Sequence, residues 1–522
     1  MNGFENMMDK IFKLFDAYPA IPAAMGVFVV ILIIRSRRQR VKQQSYSAPA
    51  RSGGLLSQIL FSWSPLDPVP IRDLLRSIVI FGATGAGKSS GSGLLIAKAV
   101  AHCRKIGGLI LASKPEDREF WEKVFTKAGR ARDLLVFSAA SALRFNFIDF
   151  ILRNNGDTRE ITKAIMVISE TLEQSGGEGR NTDQFWRRQN ERMIYNAVEI
   201  VRLATGTVTA PDVQRFINGA AQTPATLATP EWRSGFHSRC LGAAHSNQRT
   251  SIQQHDYSLA ADYWLNEYPV MSEKTRSSIL AGVMGILHVF NTGIVRELVS
   301  TSTNVSPMAV EHGKWILIDL PISSEGAAGA FILGGWKYLT QWYILKRKAT
   351  EETPACVIWC DEAQKVMNSV DGAFLAECRS HRGCMVYLTQ SIHSFYSRIQ
   401  GQAGEHETDA LLTNFYHKVF HPVGDDKSAG YGSSLVGQRM HMDVDTSGSA
   451  PEDMYDALWG QSKTSATTRH SMRKILEHRE FMQGMRTGGP ENDYKVDGLV
   501  VRSGTPFSTG EAFLRVEFDQ RG

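Results

Sequence analysis

Residues 77–90 read Ser-Ile-Val-Ile-Phe-Gly-Ala-Thr-Gly-Ala-Gly-Lys-Ser-Ser, a short β-branched apolar run that leads directly into a glycine-rich loop. The apolar run predicts a buried β-strand, and residues 91–101, rich in Leu, Ile, Ala and Val, predict a helix. The glycines let successive backbone N–H groups turn toward a phosphate, and the helix N-terminus adds the positive end of its dipole. The stretch is therefore predicted to form a strand, a phosphate-binding loop and the start of a helix.

The Gly-x4-Gly-Lys-Ser pattern predicts a role for each part of this loop. We expect Lys88 to reach the β- and γ-phosphates of a nucleotide and the Ser89 hydroxyl to bind Mg²⁺. A glycine-rich turn without a nucleotide is the alternative, and the flanking strand and helix disfavour it. The residues predicted to bind the nucleotide are Gly82, Ala83, Thr84, Gly85, Ala86, Gly87, Lys88, Ser89 and Ser90.

The chain of 522 residues is long enough for two or three hydrophobic cores. Its net charge of +5 lies in the first 60 residues, which hold eight of the 58 Lys and Arg but only three of the 53 Asp and Glu. The remainder is neutral on balance, so a nucleic-acid surface would have to be a local patch or a pore lining. None of the six cysteines has Cys-x-x-Cys spacing, which favours buried reduced thiols in a cytoplasmic compartment over a zinc site.

An N-terminal segment differs in character from a soluble core. Residues 17–34 carry no charge and end in Val-Phe-Val-Val-Ile-Leu-Ile-Ile, and four Arg and one Lys follow within residues 35–42. This pattern predicts one membrane span, with the basic cluster and the large remainder of the chain inside the cell. A cleaved signal peptide is the alternative, but its positive charges would precede the apolar run, and no small-residue cleavage site is evident.

Short apolar runs alternate with helical stretches over most of the chain, which predicts an α/β fold with a mainly parallel sheet and helices on both faces. The first strand is placed at Ile78, and an antiparallel pair is expected at 498–502 and 512–516. Between 155 and 299 helical periodicity replaces the β-branched runs. The predicted organisation is a membrane anchor with its basic cluster (1–42), a linker (43–60), the first part of a nucleotide-binding domain (61–154), an inserted all-α domain (155–299) and the second part of the nucleotide-binding domain (300–522).

A second signature is the sequence Val-Ile-Trp-Cys-Asp-Glu at residues 357–362, an apolar strand that ends in two acids. Asp361 is predicted to hold the hydration shell of Mg²⁺, and Glu362 to polarise an attacking water. Taken alone, an ordinary strand ending in acids is the better interpretation, but the phosphate loop reverses that preference. The next strand ends in Gln390, which is predicted to sense the γ-phosphate or orient the water; a polar strand end without a role is the alternative.

Several further segments complete a family pattern. They are Arg-Ser-His-Arg-Gly at 379–383, Thr-Gln-Ser at 389–391, Phe-Asn-Phe-Ile-Asp at 145–149, Phe-Trp at 185–186, Leu-Leu-Thr-Asn at 411–414 and Lys-Val-Phe at 418–420. With the phosphate loop and the acid pair, the chain resembles the additional-strand P-loop ATPases, and among them the type IV secretion coupling proteins of conjugative transfer (TraG/TraD type). The resemblance covers roughly residues 60–520 and is specific in its combination.

The resemblance implies a RecA-like P-loop ATPase domain in a homohexamer at the cytoplasmic face of a bacterial inner membrane, with ATP bound between subunits. It implies as partners relaxase-bound single-stranded DNA or secreted effector proteins, together with inner-membrane components of a type IV secretion system. In such proteins an arginine of the neighbouring subunit completes the site. Arg379 matches that position best and Arg382 is a close second, although a surface or DNA-facing arginine is an equal interpretation of either.

Two features depart from the family pattern. Where relatives often have Asp-Pro-Lys-Gly-Glu after the second strand, residues 112–116 read Ala-Ser-Lys-Pro-Glu, so Lys114 is retained but the acid is absent. One membrane span is also predicted where many relatives have two.

The leading hypothesis is a membrane-anchored ATPase that recruits DNA–relaxase complexes or effector proteins to a type IV secretion channel and drives their transfer by ATP hydrolysis. An FtsK/HerA-like double-stranded DNA pump is one alternative, which the large helical insertion and the lack of an obvious C-terminal winged helix disfavour. The other alternative is a non-motor, nucleotide-gated substrate receptor of the secretion system.

Overall fold

A computed structural model of the chain describes residues 54–175, 184–247, 249–398, 404–448 and 464–521. The predicted membrane span and basic cluster lie outside these residues. Among the described residues, no single helix is both long and apolar enough to cross a membrane. One bent pair, Glu273–Phe290 with Gly293–Val299 at 69°, meets the test of length and composition.

The strands alternate with helices along most of the described chain. The strands are β1 (Ile59–Ser64), β2 (Asp67–Pro70), β3 (Ile78–Phe81), β4 (Ile106–Leu111), β5 (Leu134–Ser138), β6 (Trp315–Asp319), β7 (Ala355–Cys360), β8 (Gly383–Thr389), β9 (His417–Phe420), β10 (Gln438–Gly448), β11 (Thr464–Lys474), β12 (Lys495–Arg502) and β13 (Phe513–Asp519). The α-helices are α1 (Ile71–Leu74), α2 (Ser92–His102), α3 (Glu116–Lys127), α4 (Phe147–Arg153), α5 (Thr158–Ser175), α6 (Gln184–Thr205), α7 (Ala210–Asn218), α8 (Pro230–Ser234), α9 (Phe236–Ser246), α10 (Ser251–Asp262), α11 (Glu273–Phe290), α12 (Gly293–Val299), α13 (Ile322–Lys346), α14 (Asp371–Glu377), α15 (His393–Tyr396), α16 (Gly404–Thr413), α17 (Asp426–Val436) and α18 (His478–Met482).

A nine-stranded sheet forms the centre of the fold, with the strand order β13-β12-β9-β3-β8-β7-β4-β6-β5. The seven strands from β9 to β5 are parallel. β12 pairs antiparallel with both β9 and β13, which confirms the antiparallel pair expected at the end of the chain. The α/β fold class with a mainly parallel sheet is therefore confirmed.

Successive side chains of the central strands enter two different hydrophobic cores. On β3, Ile78 and Ile80 belong to one core, and Val79 and Phe81 to the other. Helices α2 and α3 cover the first core, whereas α13 and the helices between β5 and β6 cover the second. A parallel sheet buried on both faces requires continuous apolar strands, which is why these segments were recognisable in the sequence.

The segment between β5 and β6 holds helices α4 to α12 and, among its described residues, no strand. Its apolar side chains belong to the same core as one face of the sheet, since Ile194 of α6 and Phe81 of β3 lie in one hydrophobic cluster. Helix α13 begins at Ile322 and contains a non-helical residue, Gly326, at φ +54°.

The prediction that the first strand lies at Ile78 is wrong. Strands β1 and β2 precede it as a separate antiparallel pair, and β1 begins inside the stretch assigned to the linker. Two prolines among the four residues of β2 hide the strand pattern, because proline cannot donate a ladder hydrogen bond. The six cysteines are all free and buried, as predicted.

Phe147 of α4 packs directly on Gly335 of helix α13. A Cβ atom on this residue would overlap the ring of Phe147, which is fully buried in the core between them. The contact requires glycine because the ring fills the space of a side chain.

We expect Gly335→Ala to lower the free energy of unfolding by about 1–3 kcal/mol, since the added methyl group would overpack a dense core. A urea titration followed by tryptophan fluorescence measures this effect. Gly285→Ala in α11 is the matched control: that glycine is exposed with no atom near its Cβ position, so the change should stabilise by about 0.5–1 kcal/mol. Equal stability of Gly335→Ala and wild type would contradict the close approach.

Candidate functional site

Three adjacent parallel strands bring the predicted site residues to one edge of the sheet. β3 pairs with β8, with Phe81 opposite Thr389, and β8 pairs with β7, with Tyr387 opposite Cys360. The phosphate loop (residues 82–90), Gln390 and the Asp361–Glu362 pair each follow the carboxyl end of one of these strands. Ligands of open parallel sheets bind at this edge.

The phosphate loop turns through two glycines with positive φ, Gly85 at +75° and Gly87 at +86°. Gly82 is needed for a different reason, since a Cβ there would lie 2.9 Å from the Cβ of His421. The Gly91 N–H donates to the carbonyl of Gly87 at 2.7 Å, and helix α2 then begins at Ser92. The predicted order of strand, loop and helix is confirmed.

Lys88 is buried inside its own loop. Its Nζ donates to the carbonyl oxygens of Gly82 at 2.6 Å and Ala83 at 3.1 Å. Burial lowers the pKa of Lys88, while the negative charges of Glu362 and Asp361 act in the opposite direction. An ammonium group carries three donors, so one N–H of Lys88 remains for an anion in the loop.

Asp361 lies at the end of β7 and is 9% exposed. Burial, with a further contribution from the nearby charge of Asp117, raises its pKa to about 6. Asp361 and Ser89 line the same cavity, together with Asp117 and Glu116. These oxygen donors fit a hard cation such as Mg²⁺. Within the described ranges, no group of three His, Cys, Asp or Glu could hold a metal by itself, so a cation here would need phosphate oxygens or water as further ligands.

Glu362 is buried and adopts a left-handed backbone conformation, with φ +48°. Its two carboxylate oxygens accept hydrogen bonds from the side-chain amides of Gln390, at 2.9 Å, and Gln364, at 2.6 Å. The Nζ of Lys114 lies 3.6 Å from the same carboxylate. Burial alone would raise the pKa of Glu362, but these partners lower it below its ordinary value. Glu362 is therefore held as an oriented carboxylate.

Asp117 supplies a carboxylate where the sequence pattern lacks one. Its Oδ2 accepts hydrogen bonds from the backbone N–H groups of Ser113, at 2.8 Å, and Lys114, at 3.0 Å. This fixes the turn from which Lys114 reaches Glu362. Neither Asp117 nor Gln364 belongs to a recognisable motif; their only sequence signal is a position within six residues of a strand end at the motif-bearing edge.

The two candidate arginines lie at the opposite edge of the sheet. Both precede β8, whose seven residues separate them from Gln390 by about 20 Å of extended chain. Arg379 is exposed and lies near Asp73, where it opposes the burial that raises the pKa of Asp73. Arg382 uses its carbonyl to accept N–H groups from Cys356 and Arg347. One copy of the chain therefore does not bring either arginine to its own phosphate loop.

Comparisons with known proteins agree with this architecture. A family profile described as "Type IV secretory system Conjugative DNA transfer" matches residues 73–482. No curated protein matches the chain in sequence.

Several solved structures share the fold. The unbound bacterial conjugative coupling protein TrwBdeltaN70 is 14% identical with a TM-score of 0.58, over 92% of this chain and 91% of that chain. Plasmid coupling protein TrwB with the ATP analogue ADPNP is 12% identical with a TM-score of 0.56, over 92% and 93%. TrwB with ADP and Mg²⁺ is 12% identical with a TM-score of 0.54, over 87% and 88%. At these identities the likeness establishes the fold.

The raised pKa of Asp361 predicts a pH-dependent cost to stability. The pKa of this carboxyl group rises from 3.8 to about 6 on folding, so its protonated form stabilises the native state. This contribution to the free energy of unfolding is complete below pH 3.8 and is lost as the pH rises to about 6. With EDTA present, Asp361→Asn should therefore be more stable than wild type above pH 6, by up to about 3 kcal/mol, and the difference should shrink toward pH 4. Denaturant titrations across this pH range measure it.

Glu351→Gln is the control, because Glu351 is an exposed acid in a loop. Its stability relative to wild type should not change with pH in this range. A pH-independent effect of Asp361→Asn would argue against a buried, proton-binding Asp361.

Proposed function

This chain belongs to the type IV secretory system conjugative DNA transfer family, and on that premise we propose that it is a membrane-anchored ATPase. It recruits relaxase-bound single-stranded DNA or effector proteins to a type IV secretion channel and drives their transfer by ATP hydrolysis. The observation that carries the proposal is the convergence of the phosphate loop, Asp361, Glu362 and Gln390 at one sheet edge.

The chemistry follows from this arrangement. Backbone N–H groups of the phosphate loop and the Nζ of Lys88 bind the phosphates of ATP. Ser89 and Asp361 are the residues that would hold Mg²⁺, which supplies neutralisation of phosphate charge. Glu362, ionised and oriented by its two amide partners, accepts hydrogen bonds from a water and aims it at the γ-phosphate. Gln390 contacts Glu362 directly and so links the γ-phosphate position to the base.

The nucleotide complexes of TrwB support ATP and Mg²⁺ as ligands. That protein is described in complex with ADPNP and with ADP and Mg²⁺. The donor set of this chain fits the same pair of ligands, because its loop offers N–H groups and an ammonium while Ser89 and Asp361 offer oxygens.

The position of Arg379 supports a homo-oligomer, which we propose to be a hexamer. A side chain at the opposite sheet edge reaches a phosphate loop only when that loop belongs to a neighbouring subunit. Arg379 would then stabilise charge on the transferred phosphoryl group. We further propose that residues 17–34 anchor the chain in the bacterial inner membrane with the bulk of it in the cytoplasm, since the basic cluster follows the apolar segment.

Cargo recognition is proposed to be divided between two regions. Single-stranded DNA would be held through backbone phosphates and base stacking in a central channel, because the neutral globular part of the chain shows no sequence-reading motif. The helices between β5 and β6 are the proposed surface for the relaxase or effector.

We expect the chain to hydrolyse ATP in the presence of Mg²⁺ and single-stranded DNA to raise the rate. Lys88→Ala removes a phosphate-binding cation and Glu362→Gln removes the base, so each should lower turnover by about 100-fold or more. Steady-state phosphate release measures this. Lys123→Ala is the control, since that lysine is exposed on α3 and pairs only with Glu119 in the described structure.

Different outcomes separate the hypotheses. Nucleotide binding without turnover, under conditions that support oligomers, would favour the non-motor receptor. Normal transfer of cargo by cells that carry Lys88→Ala would refute the motor.

A mixing experiment tests Arg379. Arg379→Ala and Lys88→Ala should each be inactive alone, because one lacks the arginine and the other the phosphate-binding lysine. Mixed oligomers contain interfaces with both residues intact, so an equal mixture should regain up to about a quarter of the wild-type rate. Arg382→Ala in place of Arg379→Ala identifies which arginine acts; no recovery with either would refute a role between subunits.

A further inference from the structure

The back of the phosphate loop is covered by the C-terminal strands. Gly87 packs on Val496 of β12 so tightly that a Cβ atom would lie 2.6 Å from the valine Cγ1. Gly91 faces the same valine, with its Cβ position 3.1 Å from that atom. Val496 is fully buried and pairs with Phe518 of β13. The antiparallel ribbon of β12 and β13 therefore forms the surface against which the loop is shaped.

A buried histidine joins this ribbon to the start of helix α2. The carbonyl of Asp497 accepts a hydrogen bond from Nδ1–H of His421 at 2.9 Å, so Nε2 of the ring accepts from the Ser92 hydroxyl at 2.7 Å. Burial lowers the pKa of His421 to about 4, which keeps the ring neutral and this pattern intact at neutral pH.

Gln520, which follows β13, makes the direct polar contact from this side. Its Nε2 donates to the Ser90 hydroxyl oxygen at 2.6 Å, and its Oε1 accepts the Gly489 N–H at 2.8 Å. Its backbone N–H donates to the backbone carbonyl oxygen of Tyr494 at 2.9 Å. Hydrogen bonds thus fix the backbone of Gln520 and both ends of its side-chain amide. Gln520 therefore restrains the position of the Ser90 hydroxyl.

We propose that Gln520 is a positioning residue for nucleotide binding, which acts on the phosphate loop from behind through the Ser90 hydroxyl. The inference rests on the proposed function, because it assigns Gln520 to the same ATP site. Gln520 belongs to none of the motifs that identify the site and comes from the far end of the described chain.

The size of the effect follows from one hydrogen bond. A neutral hydrogen bond contributes modestly, so its loss should weaken ATP binding about three- to tenfold. Turnover at saturating ATP should stay within about twofold of wild type, because the catalytic carboxylate lies on the opposite side of the loop and the chemical step keeps its residues.

The test is a double-mutant cycle on the full chain with Ser90→Ala, Gln520→Ala and the double variant. The dissociation constant for ATP with Mg²⁺ and the KM and kcat of hydrolysis are measured for each. We expect Gln520→Ala to raise the dissociation constant and KM together with kcat unchanged. In the Ser90→Ala background, the same change should have less than about a twofold effect, since its partner is already absent.

Arg521→Ala is the matched control, because Arg521 is the neighbouring residue and its side chain contacts Asp519, Asp493 and the ring of Tyr494. Its ATP affinity should equal that of wild type, and the melting temperatures of both variants should agree. Unchanged or tighter ATP binding by Gln520→Ala would overturn the proposal. So would a dissociation constant of the double variant that rises by the product of the two single effects. In both cases, ATP binding that still depends on Lys88 would leave the proposed function intact. Binding that does not depend on Lys88 would overturn the proposed function as well.

Discussion

The parallel pairing of β3, β8 and β7 is the constraint on which the site depends. Parallel strands end at the same edge, and neighbouring strands lie about 4.8 Å apart, so the ends of β3 and β7, which lead into the phosphate loop and Asp361, are separated by about 10 Å with the end of β8 between them. That gap has room for phosphate groups and a cation. It also explains why Gln390, at the end of the intervening strand, contacts Glu362. The nine-stranded sheet and its two cores hold these three strands in register.

Two adjacent carboxyl groups acquire opposite properties within this frame. Asp361 is buried beside Asp117, which favours its protonated form, whereas Glu362 receives amide donors and the charge of Lys114, which favour its ionised form. Groups whose surroundings push their pKa values apart are suited to different tasks. The arrangement suits Glu362 to act as a base and leaves Asp361 to become ionised when a positive charge is present. Both roles arise from neighbours contributed by other strands and helices.

A buried polar network connects the segment after Glu362 to the rest of the molecule. Lys337 of α13 donates to the Val366 carbonyl at 2.8 Å and to Asp371 at 2.6 Å. Gln341 and Tyr387 also donate to Asp371, so the buried charge is fully satisfied. Helix α13 in turn packs against α5 in the segment between β5 and β6. The candidate nucleotide site and the helices between β5 and β6 are thus both in contact with α13.

The central strands, the phosphate loop and the acid pair are predictable from the sequence, because each is a local pattern: a continuous apolar run, a set of glycines, two acids at a strand end. The residues that tune these groups could not be predicted, because none of them belongs to a motif. Asp117 and Gln364 lie close in sequence to the groups they contact, but their roles depend on side-chain geometry. His421, Val496 and Gln520 come from distant segments that only the fold brings to the loop. Strand β2 was also missed, because its two prolines disguise the strand, and so was the β10–β11 pair, because β11 is almost entirely polar. The distance of a full strand length between Arg379 and its own loop follows from the fold alone, because the direction of β8 in the sheet fixes which edge each end reaches.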